Sequence, residues 1–385
     1  MDNQLLSFLD AVNAVFKESM IAGDTLVIDE SMVKSFHKNL KGTMKIIRKP
    51  RPIGNEFKVL SDGYSQIVLH VELYEGKEIM QTKKYVQDHG ATTATCLRLT
   101  EYWKDSGRVV IGDSWFGSVN SAYHLFKEHR LFSILLVKTA HRYFPRDLLH
   151  EQAIQRGEWT SAKTTMDDVN LLAVRFLDLK EKQFIATAST SQVGPPRATK
   201  HHGMVSRPQV AYDYLKSCSS VDIHNHVRQG NNAFEDVWQT KNPHHRQFAG
   251  ILSFIFSNAF LAMSYFKDKH LKHLDFKMSL ANEMANYKEV APISTRPTPA
   301  CPIPNNLVVI PSTHQLVRYR PRGVKYQKEC YYCHHAYPTV IRKPTSNYCI
   351  LCGPKYPLCS NLVRNCFELH IKNGLPTKRK LPKKN

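Results

Sequence analysis

A chain of 385 residues is longer than one hydrophobic core usually sustains, so two or three modules are expected. Its net charge of +20 points to a polyanion as partner, nucleic acid first, because each phosphate contact releases a counterion. No run reaches the roughly eighteen uninterrupted apolar residues of a membrane helix; the longest, Ile251 to Met263, reads as a buried helix. The N-terminus lacks a secretory signal pattern, so a soluble intracellular protein with no membrane partner is expected.

Residues 1–20 read as a leading helix, with Leu5, Leu9, Val12 and Phe16 at helical spacing. Ala22, Gly23 and Asp24 break it, and a buried strand, Leu26 to Ile28, runs into Asp29 and Glu30. A basic, irregular stretch with Pro50, Pro52 and Gly54 follows. Then Val59 and Leu60, a turn at Asp62 and Gly63, and alternating Ile67, Leu69, Val71 and Leu73 predict a hairpin. A helix through Thr93 to Trp103 leads to a second strand, Val109 to Gly112, which runs into Asp113 and the aromatics Trp115 and Phe116. Another helix over 118–129 and a strand from Leu131 complete the first part of an α/β domain, residues 21–142. Residues 143–207 read as a separate β-rich insert in which 171–179 and 184–190 are strand-like, and Asp167, Asp168 and Asp178 read as ordinary surface acids. Residues 208–290 return as the helical part of the α/β domain: Val221 and Asp222 open a helix, and an apolar helix surrounds Phe254.

Each aspartate alone is what a turn or helix cap would use. The order of three strands, helix, strand, helix, strand matches a ribonuclease H-like fold, in which the first and fourth strands are neighbours. That adjacency would bring Asp29 and Asp113 together, with Asp222 as a third carboxylate. Three such groups can hold two divalent cations about 4 Å apart for phosphoryl transfer, and carboxylates suit magnesium or manganese.

After a linker, 291–326, six cysteines crowd into residues 327–371. Cys330 and Cys333 form one C-x-x-C knuckle and Cys349 and Cys352 another; Cys359, Cys366 and His370 follow. Paired knuckles place thiolates around tetrahedral zinc, and these seven ligands predict two zinc ions, with His334, His335 or solvent as the eighth. A disulfide framework would need an oxidising compartment for which nothing argues. A segment this small buries little core, so the metal would supply its folding energy. A protein-interaction RING is disfavoured because its closing C-x-x-C pair is absent. The tail, 372–385, is basic, as a nuclear-import or nucleic-acid-contacting segment would be, or a merely solvated end.

The blocks "LVIDESMV", "IGDSWFGSV" and "SSVDIHNH" resemble the three acidic blocks of the piggyBac transposases, DDE enzymes with a ribonuclease H-like catalytic domain. The helix before the first block, the Lys49, Pro50 and Gly54 stretch after it, the insert before the third block, and the cysteine-rich end with "CFELH" follow the same order. The resemblance covers essentially the whole chain. It implies Asp29, Asp113 and Asp222 as catalytic metal-binding aspartates, a crossed-brace zinc module that contacts transposon DNA, double-stranded DNA as substrate, a nuclear location, and a homodimer. Two departures stand out. Asn225 occupies a position where many relatives carry a further aspartate, and His244 and His245 stand in a basic stretch where relatives tend to have an aromatic residue. The likeness starts at the helix just before the first catalytic strand, so the long N-terminal region that supports dimerisation and end recognition in that family is expected to be missing. The alternative to an active enzyme is a silent DNA-binding derivative.

Overall fold

The computed structural model describes residues 3–35, 42–47, 52–138, 141–199, 203–230 and 233–287, with short stretches between 316 and 366. The chain divides into two compact units, Met1–Tyr287 and Lys288–Asn385.

The first unit opens with α1 (Asn3–Ser19), whose Leu5, Leu9, Val12 and Phe16 are buried as their spacing predicts. Then come β1 (Thr25–Lys34), β2 (Thr43–Lys45), β3 (Ile53–Asp62) and β4 (Val68–Leu73). Helices α2 (Lys77–Thr82) and α3 (Val86–Thr100) precede β5 (Val109–Gly112), α4 (Val119–His129) and β6 (Phe132–Val137). A short helix α5 (Arg146–His150) leads to β7 (Trp159–Met166), β8 (Val169–Leu177) and β9 (Glu181–Ala186). The small hairpin of β10 (Arg197–Thr199) and β11 (Gly203–Val205) precedes α6 (Gln209–Ser217), α7 (Ser220–Arg228), α8 (Phe234–Val237), α9 (Pro243–Phe266) and α10 (His273–Ala285).

Strands β1 to β9 form one mixed sheet in the order β2, β3, β1, β5, β6, β9, β8, β7, with β4 beside β2 on the outer side of β3. The pairings β1 with β5 and β5 with β6 are parallel, and β3 lies antiparallel to β1. The segment expected as a separate insert instead extends this sheet, because β9 pairs antiparallel with β6 and carries β8 and β7 outward. Strand β7 carries no regular apolar alternation, which hid it from a pattern reading. Asp167 and Asp168 form the two-residue turn between β7 and β8, both with positive φ (45° and 66°), as a type I′ hairpin requires. Asp178 is not a surface acid: it is buried between Arg156 (3.1 Å) and Arg197 (2.9 Å).

Strand alternation splits the core in two. Leu26, Ile28, Leu60, Val110 and Leu135 face α3 and α4, where Leu97, Leu99, Phe116, Ala122 and Leu125 cover them. Val27, Val59, Ile111 and Ile134 face the other way, under α1, α6, α7 and α9, against Phe16, Tyr214, Val221, Ile251 and Phe254. The apolar run from Ile251 lies in α9, which is 24 residues long and meets the length and composition of a membrane span. Half of its most apolar window is buried inside this fold, with Phe254 edge-on to Phe57 of β3 at 5.6 Å.

Within the second unit the described strands form three short antiparallel pairs. Strand β12 (Leu316–Arg318) pairs with β15 (Asn347–Cys349), β13 (Lys328–Glu329) with β14 (Pro344–Thr345), and β16 (Ser360–Asn361) with β17 (Arg364–Asn365).

Candidate active site

The parallel register of β1 and β5 pairs Leu26 with Val110, Val27 with Ile111 and Ile28 with Gly112. One step further along each chain stand Asp29 and Asp113. Both continue the parity of Val27 and Ile111, so alternation turns them toward the face covered by α6 and α7. Strand β5 ends at Gly112 while β1 runs on to Lys34, and the acids sit where the shorter strand stops.

Local hydrogen bonds orient both groups. The Glu30 amide donates to Asp29 Oδ1 at 2.7 Å, and the Trp115 amide donates to Asp113 Oδ1 at 2.9 Å. The amides of Phe116 and Gly117 donate to the Asp113 carbonyl, closing a tight turn after the strand. At Gly117 a Cβ would lie 1.6 Å from the Leu136 carbonyl oxygen, so only glycine permits this approach to β6. The aromatics after Asp113 are structural: Phe116 is buried in the core, and Lys58 Nζ lies 3.2 Å from the Trp115 ring centroid while paired with Glu56 at 2.7 Å.

Asp29, Glu30 and Asp113 each offer a carboxylate oxygen, and these oxygens lie within 4.8 Å of one another. Glu30 is the third member, although a residue next to Asp29 on a strand ordinarily faces the opposite way. Asp222 lies in the first turn of α7 and is more exposed; among the described residues it is not part of that 4.8 Å group. It is nonetheless close enough to act on the same surroundings. Burial above all, then Cys218 and the charges of Asp113, Asp29 and Asp222, push the Tyr214 hydroxyl to a higher pKa and keep it protonated.

Helix α7 is fixed to the sheet at both ends. Ser220 Oγ donates to the Asp62 carbonyl at 2.7 Å and Ser61 Oγ donates to Ser220 Oγ at 3.0 Å. At the other end Arg228 is buried, paired with Glu235 at 2.6 Å, and donates to the Met32 carbonyl (2.8 Å) and Ser31 Oγ (3.0 Å) of β1. Asn225 joins this network: its Oδ1 accepts from Ser31 Oγ at 2.5 Å and from Arg228 at 3.4 Å. Arg246, which the sequence showed only as part of a basic stretch, is fully buried and donates to the carbonyls of Lys34, Glu235 and Trp238. Asn242 caps α9 through the amides of His244 and His245, and His245 stacks on Trp238 with centroids 6.0 Å apart.

Of the predicted zinc ligands, Cys330 and Cys366 are buried and Cys349 lies in β15. Cys333, Cys352, Cys359, His370, His334 and His335 lie outside the described residues.

The family described as Transposase IS4 matches residues 3–260, a span that includes all three aspartates. No curated protein matches the chain. Among solved structures, a cryo-EM structure of a piggyBac transposase synaptic complex with hairpin DNA is similar, with a TM-score of 0.56 and 16% identity over 75% of this chain. The match spans 59% of that transposase's length. With well over half of its residues inside the family match, the chain belongs to the Transposase IS4 family, and its fold is that of the piggyBac transposase.

Proposed function

We propose that the unit Met1–Tyr287 is a ribonuclease H-like DDE domain that cuts and joins strands of double-stranded DNA, with Asp29, Asp113 and Asp222 as its catalytic, cation-holding carboxylates. The observation that carries this reading is the placement of Asp29 and Asp113 one step beyond paired residues on adjacent parallel strands, in a cluster of carboxylate oxygens within 4.8 Å. An all-oxygen donor set of this charge suits magnesium or manganese. Two such ions would supply activation of the attacking oxygen and stabilisation of the leaving one. The protein's own part is orientation: backbone amides hold one oxygen of Asp29 and one of Asp113, and α7 carries Asp222 toward them from the covering layer. Glu30 adds negative charge beside the pair. The cysteine-rich end, in the same reading, is a crossed-brace module with two zinc ions that adds DNA contacts, and the net charge of +20 supports DNA as partner and the nucleus as location.

A second reading, a silent DNA-binding derivative, draws on Asn225. Where many relatives carry an aspartate, this amide bonds to Ser31 and Arg228. Incubating the full chain with transposon-end duplexes and magnesium or manganese separates the two. The enzyme reading expects cation-dependent nicking that Asp113→Ala abolishes, with DNA affinity equal or higher because a charge near phosphate is gone. Nicking unchanged in Asp113→Ala would refute the assignment, and DNA binding without nicking by the parent chain would favour the derivative.

A further inference from the structure

A second cluster of metal-ligating side chains lies away from the carboxylates, between α3 and α4. Helix α3 is broken at Gly90, which takes φ 75° and ψ 165°, and His89 is the last residue before the break. His124 and Glu128 sit four residues apart on α4 and therefore share a face. The His89 and His124 rings are only 4.1 Å apart between centroids, inclined at 47°. The Nδ1 atoms of both rings are buried and accept or donate no hydrogen bond among the described residues. Buried polar atoms in folded proteins are nearly always satisfied, so two on touching rings call for a partner.

His124 Nδ1 lies 3.7 Å from Glu128 Oε1. That is too long for a hydrogen bond. It is close to the separation of about 3.4 Å between two ligand atoms of a tetrahedral ion with bonds near 2.1 Å. One ligand atom from each of His89, His124 and Glu128 falls within 4.8 Å of the others. His124 is 23% exposed and Glu128 41%, so an ion could enter from solvent and keep a water as fourth ligand. Two imidazoles and one carboxylate favour zinc and its transition-metal neighbours, unlike the all-oxygen cluster of Asp29, Glu30 and Asp113.

We propose that His89, His124 and Glu128 form a binding site for a zinc-class divalent ion, which bridges the start of α3 to α4 across the Gly90 break. Helix α4 follows directly on the turn that carries Asp113, so the ion braces the element behind the acids and takes no part in holding them.

The test uses the full chain, stripped with a chelator and titrated with cobalt(II) in excess magnesium, which occupies all-oxygen ligands. Cobalt bound by thiolates announces itself by intense near-ultraviolet charge transfer; cobalt on nitrogen and oxygen does not. The parent chain should take up one equivalent more than His89→Gln/His124→Gln, with the thiolate band equal in both. Equal uptake overturns the proposal. The exposed Glu128→Gln variant tests the same site without disturbing the core: its weakest zinc-class equivalent should bind at least about tenfold more weakly, and unchanged affinity overturns the proposal as well.

Discussion

Replacing Glu235 by alanine would remove the carboxylate that Arg228 pairs with at 2.6 Å, in a place that solvent does not reach: both side chains of the pair are 0% exposed. Arg228 would keep its bonds to the Met32 carbonyl, Ser31 Oγ and Asn225, and its guanidinium would still lie 4.9 Å from the Phe254 ring centroid. None of these supplies a negative charge. Breaking a buried pair by removing one partner costs about 3–5 kcal/mol, because the remaining ion is uncompensated. In a unit of this size that corresponds to a fall in Tm of roughly 6–10 °C. Glu235→Gln retains an acceptor of the same shape and loses only the charge, so its cost should be smaller, about 1.5–3 kcal/mol. Replacing both residues, Arg228→Met with Glu235→Leu, should recover part of the loss; recovery stays incomplete because the Met32 carbonyl and Ser31 hydroxyl lose their donor. Urea denaturation followed by tryptophan fluorescence measures all four proteins. A loss below about 1 kcal/mol in Glu235→Ala, or a glutamine variant less stable than the alanine one, would refute the assigned role of the pair.

Gly117→Ala should lower the thermal midpoint and perturb the Asp113 turn, since its Cβ would overlap the Leu136 carbonyl at 1.6 Å; near-native stability by calorimetry would contradict that packing. His70 and His224 have pKa values lowered to about 3, by burial first and then by Lys17 and Arg228 respectively. The unfolded chain takes up these protons first, so stability is full above about pH 6.5 and falls as pH drops toward 3, by up to about 1.4 kcal/mol per unit for each histidine; His224→Leu should flatten the slope of urea midpoints between pH 7 and 5. Asn225→Asp can accept the same two hydrogen bonds and gains charge attraction to Arg228, so it should fold with stability within about 1 kcal/mol of the parent; a large destabilisation would show that the amide NH2 is needed.

Much of the sheet was legible because strands of an α/β core announce themselves as short apolar runs that end in turn residues. Leu26 to Ile28 and Val109 to Gly112 are such runs, and their parallel pairing follows from the strand and helix order between them. Strand β7 was not legible: its residues from Trp159 to Met166 are mostly polar and half or fully exposed at the sheet's far end. Nor could the insert's attachment be seen, because the pairing of β9 with β6 joins segments that no local pattern relates.

The site divides along the same line. Asp29 and Asp113 could be named from local context, since each ends a buried strand. Glu30 could not, because neighbours on a strand ordinarily face apart; only the folded chain shows a Glu30 carboxylate oxygen within 4.8 Å of those of Asp29 and Asp113. The buried supports were harder still. Arg228, Glu235 and Arg246 read as surface charges in any one-dimensional pattern, for charged residues are rarely buried without a partner. Here the partners are 7 residues away for the ion pair and about 200 away for the bonds to β1. These are the contacts that decide where Asp222 sits. Ser61 and Asp62 hold the first turn of α7, Ser31 and Met32 hold its last, and the third carboxylate rides on the helix between them. A change at Glu235 and a change at Asp222 should therefore differ in kind. The first loosens the fold and the approach of α7 together, whereas Asp222→Asn should leave the urea midpoint within about 0.5 kcal/mol of the parent, as exposed substitutions do, and, on the enzyme reading proposed above, abolish cation-dependent cleavage alone. Equal losses of stability in the two variants would mean that Asp222 is part of the scaffold.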